Sequence, residues 1–169
     1  MIGAWRLLRL SLIGLIAGGT ALSVALALGA ADPPRHSALY GTLEALEGTL
    51  ELPTPPFTLI AHGAWRESAS PLDSWHLLFT DGEGAIRLRL SLHGDGSFSL
   101  APIQADAHGF IHLRRPPETN EIWLYVTESE AILRLNREIA WQGALPHASE
   151  VRIESANALR SASIRLYTP

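Results

Sequence analysis

The chain has 169 residues, 13 basic side chains that are all Arg, 17 acidic ones and no Cys, for a formal net charge of -4. Without cysteine there is no disulfide framework, thiolate nucleophile, zinc knuckle or iron-sulfur ligation, and without lysine there is no Schiff base or phosphate-cradling lysine. The arginines are scattered singly on an acidic chain, so no basic stripe exists for DNA or RNA.

Hydrophobic residues make up 47% of the sequence, concentrated in the first thirty positions. Between Arg9 and Asp32 the run LSLIGLIAGGTALSVALALGAA is uncharged. A helix of roughly 22 residues spans about 33 Å, enough for a hydrocarbon core of about 30 Å. Arg6 and Arg9 precede the run and Asp32 follows it. This charge bias places residues 1–9 in the cytoplasm, 10–31 across the membrane as a signal anchor, and the rest outside. Trp5 stands where an interfacial anchor would. A cleaved leader is the rival reading, because Ala27-Leu28-Gly29 and Gly29-Ala30-Ala31 supply small residues for a peptidase; the length of the apolar run favours retention. Along one face of the helix fall Ser11, Gly14, Gly18, Ala21 and Ala25, small residues that would let a second helix approach closely.

Asp32-Pro33-Pro34 ends the helix and opens a segment, 32–56, of linker and edge strands. Its Gly-Thr-Leu-Glu repeat reads as one or two strands, with helix as an alternative, closed by Pro53, Pro55 and Pro56. From residue 57 to 169 the hydrophobic period is two. In IRLRLSL, Ile86, Leu88, Leu90 and Leu92 face one way and Arg87, Arg89 and Ser91 the other. The same alternation runs through Phe57, Leu59 and Ala61, then Trp75, Leu77 and Phe79. It returns at Ile122, Leu124 and Val126, at Ala131, Leu133 and Leu135, and at Ile164 with Leu166. On this pattern Leu88, Leu90, Leu124, Leu133 and Leu135 are buried, and Arg87, Arg89 and Arg134 exposed. Asp81-Gly82, His93-Gly94-Asp95-Gly96, Arg115-Pro116-Pro117 and Asn136-Arg137 supply the turns. Short strands at this spacing make an antiparallel sandwich or barrel.

The runs FTLIAHGAW, WHLLF, IRLRLSLHGDGSFSL, NEIWLYVTESEAILRLNREIAW and SASIRLY resemble, in order, the concanavalin A-like and laminin-G-like jelly-roll domains. LRLNREIAW occupies their last conspicuous hairpin, with Arg137 where glycine is usual. The resemblance covers about Phe57 to Tyr167 and implies an all-β, antiparallel jelly-roll β-sandwich behind one transmembrane helix. That fold serves lectins, glycosidases and adhesion modules alike.

Retaining glycosidases need two carboxylates roughly 5 Å apart, and the Glu-x-Asp-x-x-Glu strand that carries them in this fold is absent. Glu118 and Glu121 near Asn120, and Glu128 with Glu130, flank turns and read as solvated surface groups. Calcium is common in laminin-G-like and lectin-like relatives. Asp81, Glu83, Asp95 and Asp106 could ligate it, although turn formation accounts for Asp81-Gly82 and Asp95-Gly96 without a metal. His108 and His112 could share a strand face, with no third ligand at readable spacing. Trp123 and Tyr125 share a face opposite Ile122, Leu124 and Val126, and are either packed or a binding surface for sugar or protein.

These readings lead to a non-enzymatic protein without cofactor or metal. The preferred expectation is a single-pass accessory subunit of a bacterial membrane complex, such as an energy-transducing one. Its partners would be other membrane subunits and the lipid bilayer, docked through the helix and a periplasmic or extracellular sandwich. The alternative is a membrane-anchored carbohydrate-binding, lectin-like domain.

Overall fold

In the computed structural model, the structure describes residues 2–27, 38–155 and 157–169, and within the helix the side chains of 11, 13–20 and 21–24. The chain divides into two compact units, Met1–Pro34 and Arg35–Pro169.

Among the described residues the first unit forms the helix α1 (Ile2–Ala27), which begins inside the segment expected to be a cytoplasmic tail. Among the described residues no helix is long and apolar enough to cross a membrane. The structure therefore lends the transmembrane assignment over 10–31 no support, and positions 28–31 lie outside the described residues. So do the Asp32-Pro33-Pro34 stop and the side chains of Trp5 and Ala25.

The second unit is an all-β sandwich of two six-stranded antiparallel sheets. In chain order its strands are β1 (Ala38–Leu43), β2 (Thr49–Glu51), β3 (Phe57–Trp65), β4 (Ser74–Thr80), β5 (Ile86–His93) and β6 (Ser97–Ala101). They continue with β7 (Gln104–Gly109), β8 (Thr119–Val126), β9 (Ala131–Leu135), β10 (Glu138–Gly143), β11 (Glu150–Glu154) and β12 (Leu159–Thr168). The first sheet runs β1-β12-β3-β8-β9-β10 and the second β2-β11-β4-β5-β6-β7. The two strands of the Gly-Thr-Leu-Glu segment part company: β1 closes one edge of the first sheet and β2 one edge of the second.

The period-two residues meet between the sheets. Leu59, Trp75, Leu77, Leu92, Ile122, Leu135 and Leu166 are fully buried, and Leu88, Leu90, Leu124 and Leu133 nearly so. Each such side chain removed from water contributes about 1.5–3 kcal/mol. Gly63 on β3 makes room for the Trp75 indole, because a Cβ there would stand 2.5 Å from Trp75 Cζ2.

Turn chemistry follows the sequence closely. Asp81 closes the β4–β5 turn by accepting from the backbone N–H groups of Glu83 (3.0 Å) and Ala85 (2.9 Å), and Asp95 accepts from Ser97 N (2.9 Å) and Ser97 Oγ (2.6 Å). Between β9 and β10 both Asn136 (φ 50°) and Arg137 (φ 78°) are left-handed, so the tight two-residue turn forms without glycine. Asn136 compensates: its Oδ1 accepts from Glu121 N (2.8 Å), and its Nδ2 donates to His112 O (2.6 Å) and Asn120 Oδ1 (2.7 Å).

Candidate ligand-binding face

Outward-facing residues of neighbouring strands line up in rows across each sheet, and the rows of the second sheet are polar. Register places Glu154 of β11, His76 of β4, Ser91 of β5 and Ser99 of β6 side by side. One row along lie Arg152, Leu78, Arg89 and Ala101, and on the other side Ser74 opposes His93. Leu78 is fully buried although it points away from the core, flanked by the two arginines, whose stems can cover apolar surface. Arg89, His76 and His93 are partly exposed.

His76 organises this face. Its Nδ1 is 2.9 Å from Ser91 Oγ and its Nε2 3.3 Å from Ser74 Oγ. Burial lowers its pKa below 6.5, Arg89 and His93 lower it further, and Glu154 opposes them. The ring is therefore neutral at pH 7, with one nitrogen donating and the other accepting. His93 Nε2 is buried with no hydrogen-bond partner. Hydroxyls and the neutral His76 imidazole, which both donate and accept, beside a guanidinium that only donates, match a ligand rich in hydroxyl groups. They do not match a cation, and among the described residues no group of three metal-ligating side chains converges.

The outer face of the first sheet carries Trp123 and Tyr125. A central row joins Arg165, Ile60, Trp123, Arg134 and Ile139, and the next joins Tyr167, Thr58, Tyr125, Ile132 and Gln142. Trp123 is 6% exposed and its cross-strand neighbour Arg134 7%, so the expectation that Arg134 is exposed fails. Arg134 points outward as the alternation requires, but it lies against Trp123 and its Nη1 donates to Arg137 O (3.1 Å).

The remaining sequence candidates do not converge. Asp81 and Asp95 are spent on their turns, and Glu83 and Asp106 are exposed elsewhere. His108 lies on β7 and His112 beyond its end, so they do not share a strand face. Glu121 receives His62 Nε2 at 3.3 Å and stands 3.9 Å from Arg137 Nε, a partly exposed cluster of the kind that contributes little. Asn120 is buried, holding Arg114 N and O at 2.8 Å each. In α1, Ser11, Gly14, Gly18 and Ala21 are exposed, and a Cβ at either glycine would meet nothing within 4 Å. Sequence reasoning placed Arg89 and Ser91 on an outer face but did not single out His76 or His93, whose signal was the polar alternation of WHLLFT and IRLRLSLH continued one residue further.

No family model and no curated protein matches the sequence. Among solved structures, sheep galectin-11 in complex with glycerol is similar over 79% of this chain and 99% of its own, at 13% identity and a TM-score of 0.52. A human galectin-16 double variant covers 78% of this chain and 98% of its own, at 11% identity and 0.52. A Caenorhabditis elegans galectin covers 75% and 96%, at 10% identity and 0.53. Likeness at these identities establishes the fold alone, a two-sheet antiparallel jelly-roll sandwich of the galectin type.

Proposed function

We propose that the sandwich is a non-catalytic binding module that holds a hydroxyl-rich ligand of the carbohydrate class on the outer face of its second sheet. One observation carries this reading: a neutral His76, set between Ser74 and Ser91, shares its outer face with the partly exposed Arg89 and His93. Sugar hydroxyls donate and accept at once, as do these groups, and the Arg89 guanidinium adds directed donors. The galectin-like fold supports the reading, as does glycerol, a triol, in the sheep galectin-11 complex. Glycan-array screening of the full-length protein followed by calorimetry tests it. His76→Ala and Arg89→Ala should each weaken binding at least about tenfold, the loss expected for one or two buried hydrogen bonds. Unchanged binding in both variants, or no retained glycan, overturns it.

A second reading, an accessory subunit docked in a membrane complex, draws on other residues. Tyr125, Tyr167 and Arg165 are partly or fully exposed on the first sheet's outer face, and these are residue types that dominate protein interfaces. In α1, Ile13, Leu15, Ile16, Leu22 and Val24 are exposed, as they would be in a helix that anchors the chain in lipid with its N-terminus cytoplasmic. Gentle extraction and native electrophoresis distinguish the two: Gly14→Leu with Gly18→Leu should release the protein from a large complex. A free monomer for wild type rejects the subunit.

A further inference from the structure

We propose that a cleft at one end of the sandwich is a second binding site, for a small organic cation with an apolar body. It opens where β8 ends and β3 begins, between the segments 52–56, 127–130 and 144–149, and has a volume of about 380 Å³, within the range of small-molecule sites. Leu52, Phe57, Val126 and Leu145 give it an apolar lining.

Charge selects the ligand. Among the described residues the cleft is lined by Glu128, Glu130 and His147, with no arginine. Two roomier openings elsewhere carry both signs: about 710 Å³ beside Asp95, Glu118, Arg114 and Arg115, and about 460 Å³ beside Glu44 and Arg160. Of these three openings the first alone has carboxylates and no arginine in its lining, Glu128 being exposed and Glu130 Oε2 accepting from Gln142 Nε2 at 3.0 Å. An ammonium or amidinium group can donate charge-assisted hydrogen bonds to the glutamates while its ring or alkyl body fills the cleft, and an anion is repelled.

The walls are pre-set. Leu52 N donates to Ser149 O and Ser149 N to Thr80 O, both at 2.8 Å, tying two of the segments to the second sheet. Thr127 builds the turn that carries both glutamates: its N and Oγ1 donate to Glu130 O at 2.8 and 2.9 Å, and its Oγ1 accepts from Glu130 N at 3.1 Å. Pro53, Pro55 and Pro146 restrict the remaining wall, so little ordering cost falls on binding.

The site shares no residue with the sugar-binding face, so the two proposals fail separately. Methyl-labelled full-length protein is titrated with benzylammonium, with benzyl alcohol and phenylacetate as matched neutral and anionic probes. Benzylammonium should move the methyl signals of Leu52, Val126 and Leu145 saturably, more weakly as salt rises. Phenylacetate should leave them in place. Glu128→Gln with Glu130→Gln should weaken benzylammonium at least about fivefold without changing the unfolding midpoint. Equal affinity for benzyl alcohol, salt-independent binding, unaltered affinity in the double variant, or no saturable shift at these methyls each overturns the proposal. The salt dependence is read on wild type and so stands whatever the variant does.

Discussion

On the outer face of the first sheet, Trp123 and Arg134 are as shielded from solvent as core residues, at 6% and 7% exposure; the second sheet presents Ser, His and Arg in the equivalent position on its own outer face. Both floors are dry, since Ser91 and Ser99 are buried too. They differ in what fills them. Large side chains of the first sheet gain burial energy there, whereas the small hydroxyls of the second sheet contribute little area and lie under the partly exposed polar side chains His76, Arg89 and His93. Aromatic residues on an outer face are thus weak evidence for a binding platform when a cross-strand arginine already covers them.

The sharpest way to break this contrast is truncation on each side. Trp123→Ala should lower unfolding stability by about 3–5 kcal/mol, as for a core aromatic, and Ser99→Ala should change it by less than about 1 kcal/mol. Calorimetric or denaturant unfolding measures both. A Trp123→Ala cost below that of Ser99→Ala would make the first face the open one.

Acid sharpens the contrast more gently, through His76. Its folded pKa lies below 6.5, so the unfolded chain binds the extra proton first as pH falls. Stability should therefore rise with pH across the window ending near 6.5, and this contribution should be flat above it. His76→Gln, which keeps a donor and an acceptor, should remove that slope. Asp81 and Asp95, both lowered by hydrogen bonds within their turns, titrate in a separate window below 3.8, where protonation removes what they contribute.

The smallest effect belongs to the hairpin that supports the first face. Arg137 sits at φ 78°, where an L side chain costs about 1–2 kcal/mol and glycine nothing, partly offset by glycine's greater freedom when unfolded. Arg137→Gly should stabilise the protein by about 0.5–1 kcal/mol, read from the shift in denaturant midpoint. A loss instead would mean that the Arg137 side chain, 3.9 Å from Glu121, matters more than its backbone.

Most of the sandwich was legible because its strands alternate: Leu59, Leu77, Leu90, Leu124, Leu133 and Leu166 face the core as the period requires, although Ile86, at the start of β5, is exposed. The strands that escaped notice have little to alternate. β11 offers Val151 and Ile153, and β7 reads QADAHG. Direction was legible where environment was not, as Arg134 demonstrates. The candidate face was harder still, because His76 meets Ser91 only through a register that the Asp81 turn and a bulge between Phe79 and Thr80 set. Period tells which side of a sheet a residue takes, and pairing decides its neighbours. The likeness to galectin structures agrees with the jelly-roll, concanavalin A-like class that the sequence resembles.

Ala38 and Thr168, close to the two ends of the sandwich, are Cα partners across the β1–β12 ladder, a separation of about 4.5–5.5 Å. A few glycines would join them, and the exposed turn at Pro102 and Ile103 could be opened instead, giving a circularly permuted chain with the same pairings. The sandwich behaves topologically as a nearly closed ring, so it can be spliced into a surface loop of another protein and leave that host's chain to resume beside the point where it was interrupted.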